Sequence, residues 1–178
     1  MANLLTLSRI AFVLPLVLCL LQADPVWRWL ALGLFLVAGV TDFFDGYIAR
    51  RTQTTSALGA ALDPIADKLL TSAVLVMLIA DQTLSGFDMF LALIMILREV
   101  WISGLREALT GEVKLTVTVL AKWKTAAQFL AIAFLLIPVD GLNREAGIFF
   151  LWAAAALTIW TGAIYTRDAL PHLRQASK

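Results

Sequence analysis

The sequence predicts an all-α integral membrane protein with six transmembrane helices. Three observations carry this expectation. The 178 residues are 61% hydrophobic and their mean hydropathy is +0.86, whereas a soluble domain of this size is far more polar. The apolar residues fall into six runs, each close to the roughly 20 residues that a spanning helix needs. Short segments holding helix breakers separate several of the runs: "QADP", "DQTLSG" and "PVDGLN". No soluble domain, low-complexity linker or internal repeat fits between them, so residues 1–178 are expected to form one membrane-embedded domain.

The runs cover about 5–22, 27–48, 58–80, 87–109, 115–137 and 146–166. Ahead of the first, "MANLLTLSRI" has no basic stretch, and no small-residue cleavage site precedes Pro25. A cleaved signal or transit peptide is therefore not expected. Cys19, the single cysteine, cannot form an intrachain disulfide and reads as a buried small residue. Trp27, Trp29 and Trp101 need nothing beyond packing or interface anchoring. Pro64, near the start of the third run, either begins its regular helix or kinks it. The sixth run ends in a polar tail, where His172 is expected to be solvated.

Basic residues set the orientation. An even number of spans puts both termini on one side. That side receives Arg9, Arg50, Arg51, Arg106, Lys114, Lys122, Lys124, Arg167, Arg174 and Lys178. The other receives only Arg28 and Arg144. Lys68 and Arg98 fall inside spans and are not counted. Both termini and the 49–57 loop are therefore expected in the cytoplasm. A formal net charge of only +1 gives no case for a nucleic-acid partner.

Against this oily background, "DFFDGYIARRTQTTSALGAALDPIADK" (42–68) carries four aspartates at regular spacing. At about 100° per helical residue, Asp42 and Asp45 share a face, as do Asp63 and Asp67, with Gly59 one turn earlier. The short turn between the two helices makes them antiparallel neighbours, so the four carboxylates can converge. In a partly dehydrated site such a cluster must protonate, move apart or bind cations. Oxygen ligands without Cys or His select Mg²⁺, Mn²⁺ or Ca²⁺ rather than zinc. Two divalent ions would neutralise the cluster and polarise a phosphate between them. The competing reading is a set of exposed charges at a loop edge. Gly46, Ala49, Gly59, Ala60 and Ala61 allow close helix packing or approach of a flat ligand. Arg50, alone, would be a positive-inside anchor.

Asp45-Gly46-x2-Ala49-Arg50-x8-Gly59-x3-Asp63-x3-Asp67, with Asp42 three residues ahead, resembles the complete signature of the CDP-alcohol phosphotransferase family. The resemblance implies that family's six-helix fold, a homodimer and a CDP-linked lipid donor. It implies two divalent cations, Mg²⁺ or Mn²⁺, held by Asp42, Asp45, Asp63 and Asp67. It further implies Asp67 as the general base, and Gly46, Ala49, Arg50 and Gly59 as contacts of the CDP moiety. The chemistry agrees: a carboxylate at the metal edge can take the alcohol's proton, and Arg50's planar fork suits a phosphate oxygen.

The acceptor is read from the second half. Arg98 lies near mid-membrane, where a bare charge is costly. It should face a protein cavity or pair with a carboxylate. Arg98, Glu99, Ser103 and Arg106 fall within an arc of about 140° on a helix, while Lys122 and Lys124 lie about 200° apart, so one of the two should face the pocket. A cationic pocket made by Arg98, Arg106, Lys122 and Lys124 suits an acceptor with its own phosphate. Within the family, "REVWISGLRE" followed by "KWKTAAQ", and the opening "NLLTLSRI", resemble the branch whose acceptor is sn-glycerol 3-phosphate. The expected activity is transfer of the phosphatidyl group from CDP-diacylglycerol to that acceptor, releasing CMP, at the cytoplasmic face of a bacterial inner membrane. Two alternatives keep the fold and change the acceptor: cardiolipin synthase or a phosphatidylinositol-phosphate synthase. A non-enzyme alternative is a small cation transporter, but such sites usually sit at the midplane between repeated halves.

Overall fold

The computed structural model describes residues 2–52, 57–109, 119–139 and 141–176, with side chains described for 11–41, 68–107, 109, 119–139 and 141–172. Among these residues six helices follow one another: α1 (Ala2–Leu20), α2 (Pro25–Thr52), α3 (Ala57–Ala80), α4 (Phe87–Ala108), α5 (Val119–Leu136) and α6 (Leu142–Ala176). The described residues contain no strand.

The boundaries have local causes. Asp24 caps α2, its Oδ1 accepting the Val26 amide at 2.8 Å, and Pro25 takes the first helical position, where a missing N–H costs nothing. Gly86 precedes α4 at φ 56°, a left-handed conformation in which glycine carries no Cβ penalty. α3 starts at Ala57, so Pro64 lies inside the helix and not at its start. The chain beyond 166, expected to be a polar tail, continues α6 to Ala176. The reason is packing: Ala169 is fully buried with Ile102, Leu105 and Leu109 of the α4 end. His172 is accordingly half-buried, where a solvated residue was expected.

The main core joins Leu16 of α1, Phe35 of α2, Leu75 and Leu78 of α3, Met95 of α4, Ile132 and Leu136 of α5 and Leu151 of α6. Cys19 is buried in it, as expected. α1 packs against both α2 and α3, and α6 against both α4 and α5. Close approaches need glycine at two places. A Cβ on Gly39 would overlap the Phe129 ring, which stacks on Phe35 at 4.8 Å, and one on Gly147 would sit 2.7 Å from Leu135 Cγ. At one end of the bundle Arg28, at the start of α2, donates to Asp81 (2.9 Å) and Thr83 just after α3, and to the Leu135 carbonyl (3.0 Å). Two helices joined within a few residues at one end, and bridged at the other, run antiparallel. The aspartate side chains between them lie outside the described residues.

Every helix turns large apolar residues outward, among them Leu14, Leu36, Val76, Leu97, Trp123 and Phe149. Such an apolar surface belongs in a membrane or an interface, not in water. Among the described residues, Val119–Leu136 and Leu142–His172 are long and apolar enough to cross a bilayer, while Ala11–Leu20, Pro25–Thr41 and Lys68–Ala80 are shorter apolar stretches. The described residues are thus all-helical, and the protein is membrane-associated.

Candidate active site

Arg98, Glu99, Ser103 and Arg106 share one face of α4, as their spacing requires. This face meets α3, α5 and α6 around a cavity of about 250 Å³. α3 contributes Lys68 and Thr71; α5 contributes Lys124 and Gln128; α6 contributes Tyr165.

Glu99 stands at the centre, only 9% exposed. Its Oε1 accepts from Lys124 Nζ and from Arg98 Nη1, the latter at 3.2 Å. Its Oε2 lies 3.9 Å from Lys68 Nζ. Lys68 also donates to Ser103 Oγ, and Ser103 returns its own proton to the Glu99 carbonyl at 2.9 Å. Arg98 Nη2 donates to Thr161 Oγ1 at 3.0 Å, and the Thr161 hydroxyl donates to the Leu157 carbonyl. The guanidinium carbons of Arg98 and Arg106 lie 5.7 and 5.6 Å from the centre of the Tyr165 ring, within cation–π range. Arg98 lies close across Gly162: a Cβ there would stand 3.1 Å from Arg98 Cγ, a tight contact. Arg98 Nε is buried and without a hydrogen-bond partner.

Both possibilities for Arg98 are thus realised together. It pairs with a carboxylate, and it lines a cavity. Lys124 is 6% exposed and points inward, whereas Lys122 is exposed and absent from the lining. Of the two lysines, Lys124 thus lies in the lining and Lys122 outside it. Among the described lining residues, Lys68, Arg98 and Lys124 thus meet a single carboxylate, and Arg106 lines the same cavity. Buried charge is tolerated when paired, and the surplus here suits an anion.

A second cavity, about 520 Å³, lies at the opposite end of the bundle between the loops beside Asp24, Asp81 and Pro138. It is larger, but its Arg28 and Arg144 are matched by Asp24 and Asp81, so it holds no comparable charge excess.

Of the signature residues, Asp42, Asp45, Gly46, Ala49 and Arg50 lie on the helical backbone of α2, and Gly59, Asp63 and Asp67 on that of α3. The i,i+3 and i,i+4 spacings therefore place each aspartate pair on one helix face. Their side chains lie outside the described residues, among which no three metal-ligating groups gather. Lys68 directly follows Asp67, so the cationic cavity adjoins the stretch of α3 that carries the acidic residues.

Sequence reasoning did not find Lys68, Thr161, Gly162, Tyr165 or Gln128. Lys68 was set aside as a charge within a span. Thr158, Thr161 and Tyr165 do leave a signal: a polar stripe at helical spacing in an otherwise apolar run.

Comparison with known proteins extends these observations. Residues 1–160 match the family model described as CDP-alcohol phosphatidyltransferase. A Cereibacter sphaeroides protein named CDP-diacylglycerol–glycerol-3-phosphate 3-phosphatidyltransferase is 35% identical, covering 97% of this chain and 96% of its own. A Rickettsia bellii protein of the same name is 42% identical over 92% of this chain and 91% of its own. A rice protein named cardiolipin synthase (CMP-forming) is 37% identical over 92% of this chain, which spans 55% of it. The match over most of the chain settles the family: the protein belongs to the CDP-alcohol phosphatidyltransferases.

Proposed function

We propose that the protein transfers the phosphatidyl group of CDP-diacylglycerol to sn-glycerol 3-phosphate, giving phosphatidylglycerophosphate and CMP. The names of the bacterial relatives support this reaction. The observation that carries the acceptor is the cavity in which Lys68, Arg98, Arg106 and Lys124 outnumber Glu99 among the described lining residues. A phosphate-bearing alcohol is the neutralising ligand for such a pocket.

Asp42, Asp45, Asp63 and Asp67 are assigned to two divalent cations, Mg²⁺ or Mn²⁺. The all-oxygen donor set fits, and α2 and α3 each present their pair on one helical face. When bound, such cations neutralise the donor's pyrophosphate and polarise the phosphorus under attack. Gly46, Ala49 and Gly59 leave room for the CDP moiety, and Arg50 pairs with a phosphate oxygen. Arg98, Arg106, Lys124 and Lys68 hold the acceptor's phosphate and so aim its free hydroxyl at the donor. Asp67 takes the hydroxyl proton. The alcohol oxygen bonds to the lipid-linked phosphorus as the bond to the CMP oxygen breaks, and CMP leaves with that electron pair.

The six helices are read as six spans of one domain in a bacterial inner membrane. The bias of ten basic residues to two puts both termini and the site on the cytoplasmic side. A homodimer belongs to the same reading, on the strength of the family. A second reading, with phosphatidylglycerol as acceptor, is favoured by the name of the rice relative.

The experiment is a CMP-release assay of purified protein with CDP-diacylglycerol, Mg²⁺ and a panel of alcohols. Glycerol 3-phosphate should give the highest kcat/KM. Preference for phosphatidylglycerol or inositol phosphate would overturn the acceptor assignment and leave the family intact.

A further inference from the structure

We propose that Glu99 is the positioning residue of the acceptor pocket: its carboxylate holds Lys124, Arg98 and Lys68, from three helices, in the arrangement that receives a phosphate monoester. The proposal rests on the acceptor reading above and adds a residue to it.

Glu99 is the one carboxylate among the described lining residues, and Lys68, Arg98 and Lys124 converge on its two oxygens. The contacts join α3, α4 and α5, and Arg98 extends them to α6 through Thr161. Lys and Arg side chains have many rotamers, and ordering them costs free energy. When the free protein already holds them in place, that cost does not fall on ligand binding. Glu99 also pairs a buried cation: Lys124 is 6% exposed, and a buried charge is tolerated when it is paired. Among the described lining residues, the three cations that meet Glu99 outnumber it. That surplus is enough to attract a dianionic phosphate monoester over a phosphodiester or an uncharged alcohol. Glu99 therefore orders the cations without cancelling the field that recruits substrate.

A rival role has the opposite sign. If Glu99 merely occupied the phosphate's place, removing its charge would tighten acceptor binding.

The test compares native protein with Glu99→Gln, Lys124→Ala and the double variant, reconstituted in lipid and assayed by CMP release. Glu99→Gln should raise KM for glycerol 3-phosphate about tenfold or more, the effect of losing one charge-assisted contact. KM for CDP-diacylglycerol and the slow turnover with plain glycerol should stay near native. Preference for glycerol 3-phosphate over glycerol then falls by the same factor, which a general structural defect would not produce. The double variant should raise KM by well under the product of the single effects, because both changes break one interaction. It also removes the stranded buried lysine. If Glu99→Gln fails to fold, the double variant compared with Lys124→Ala carries the test: Glu99 still holds Arg98 and Lys68 there, so KM must rise further. Inorganic phosphate, as a competitive inhibitor, separates the two claims. Should native protein prefer another alcohol, the acceptor reading falls. Glu99→Gln must then still weaken phosphate inhibition by the same factor. An unchanged or lowered KM, full multiplicativity, or equal losses with glycerol and CDP-diacylglycerol would overturn the positioning role.

Discussion

Replacing Arg106 by alanine removes the cation that is exposed, in contrast to the buried Lys124 and Glu99. Its guanidinium carbon stands 5.6 Å from the Tyr165 ring centre, beside the acceptor cavity. An exposed position makes truncation mild for folding, so the effect should appear in binding. Two unit charges about 4 Å apart attract by ~4 kcal/mol at the effective dielectric of a partly solvated site. Exchange with water reduces a charge-assisted hydrogen bond to about 1.5–3 kcal/mol net. At roughly 1.4 kcal/mol per tenfold, KM for glycerol 3-phosphate should rise by about one to two orders of magnitude. KM for CDP-diacylglycerol should change little, because the donor's phosphates are assigned to the aspartate site and Arg50. The assay is CMP release with either substrate varied, and with plain glycerol as a second acceptor. The Arg106→Ala variant should discriminate less between the two alcohols. Intact glycerol 3-phosphate kinetics together with failed CDP-diacylglycerol binding would reverse the pocket assignment.

Chelation should abolish turnover and Mg²⁺ or Mn²⁺ should restore it; full activity in chelator would sink the two-metal assignment. Asp67→Asn should keep CDP-diacylglycerol binding and lose most of kcat, since an amide cannot accept the alcohol's proton. Asp63→Asn should instead raise the metal concentration needed for half-maximal rate, and a near-native kcat for Asp67→Asn would require another base. Gly39→Ala would drive a methyl group to within 2.7 Å of Phe129 Cζ. Overpacking of this kind costs ~1–3 kcal/mol, so the melting temperature in detergent should drop, and an unchanged one would show that Phe129 swings aside freely.

The helices were legible because apolar runs near spanning length and the breakers between them are both local features. Where some helices begin and end was not. α6 continues past residue 166 because Ala169 finds Ile102 and Leu105 on α4, a contact of high sequence separation that no local pattern announces. Pro64 is similar: a proline in a helix interior loses one hydrogen bond, and the sequence alone leaves start and interior open. The cationic arc on α4 was legible from spacing alone, since 100° per residue fixes which side chains share a face. Its partners were not. Lys68 reads as one more charge in a span until α3 brings it to Ser103 and Glu99. Gly162 reads as a packing glycine until Arg98 is seen lying across it. Lys122 and Lys124 could be told apart as facing opposite ways, but which one faces inward depended on how α5 is rotated against α4.

The most direct measurement is product identity with stoichiometry. Purified protein in lipid is given CDP-diacylglycerol, Mg²⁺ and isotopically labelled sn-glycerol 3-phosphate, and the lipids are resolved by mass spectrometry while CMP is counted. The expected result is labelled phosphatidylglycerophosphate and CMP in equal amounts, both dependent on the acceptor and both lost with Asp67→Asn. CMP release without label in the lipid, or labelled lipid formed without CMP, would contradict it.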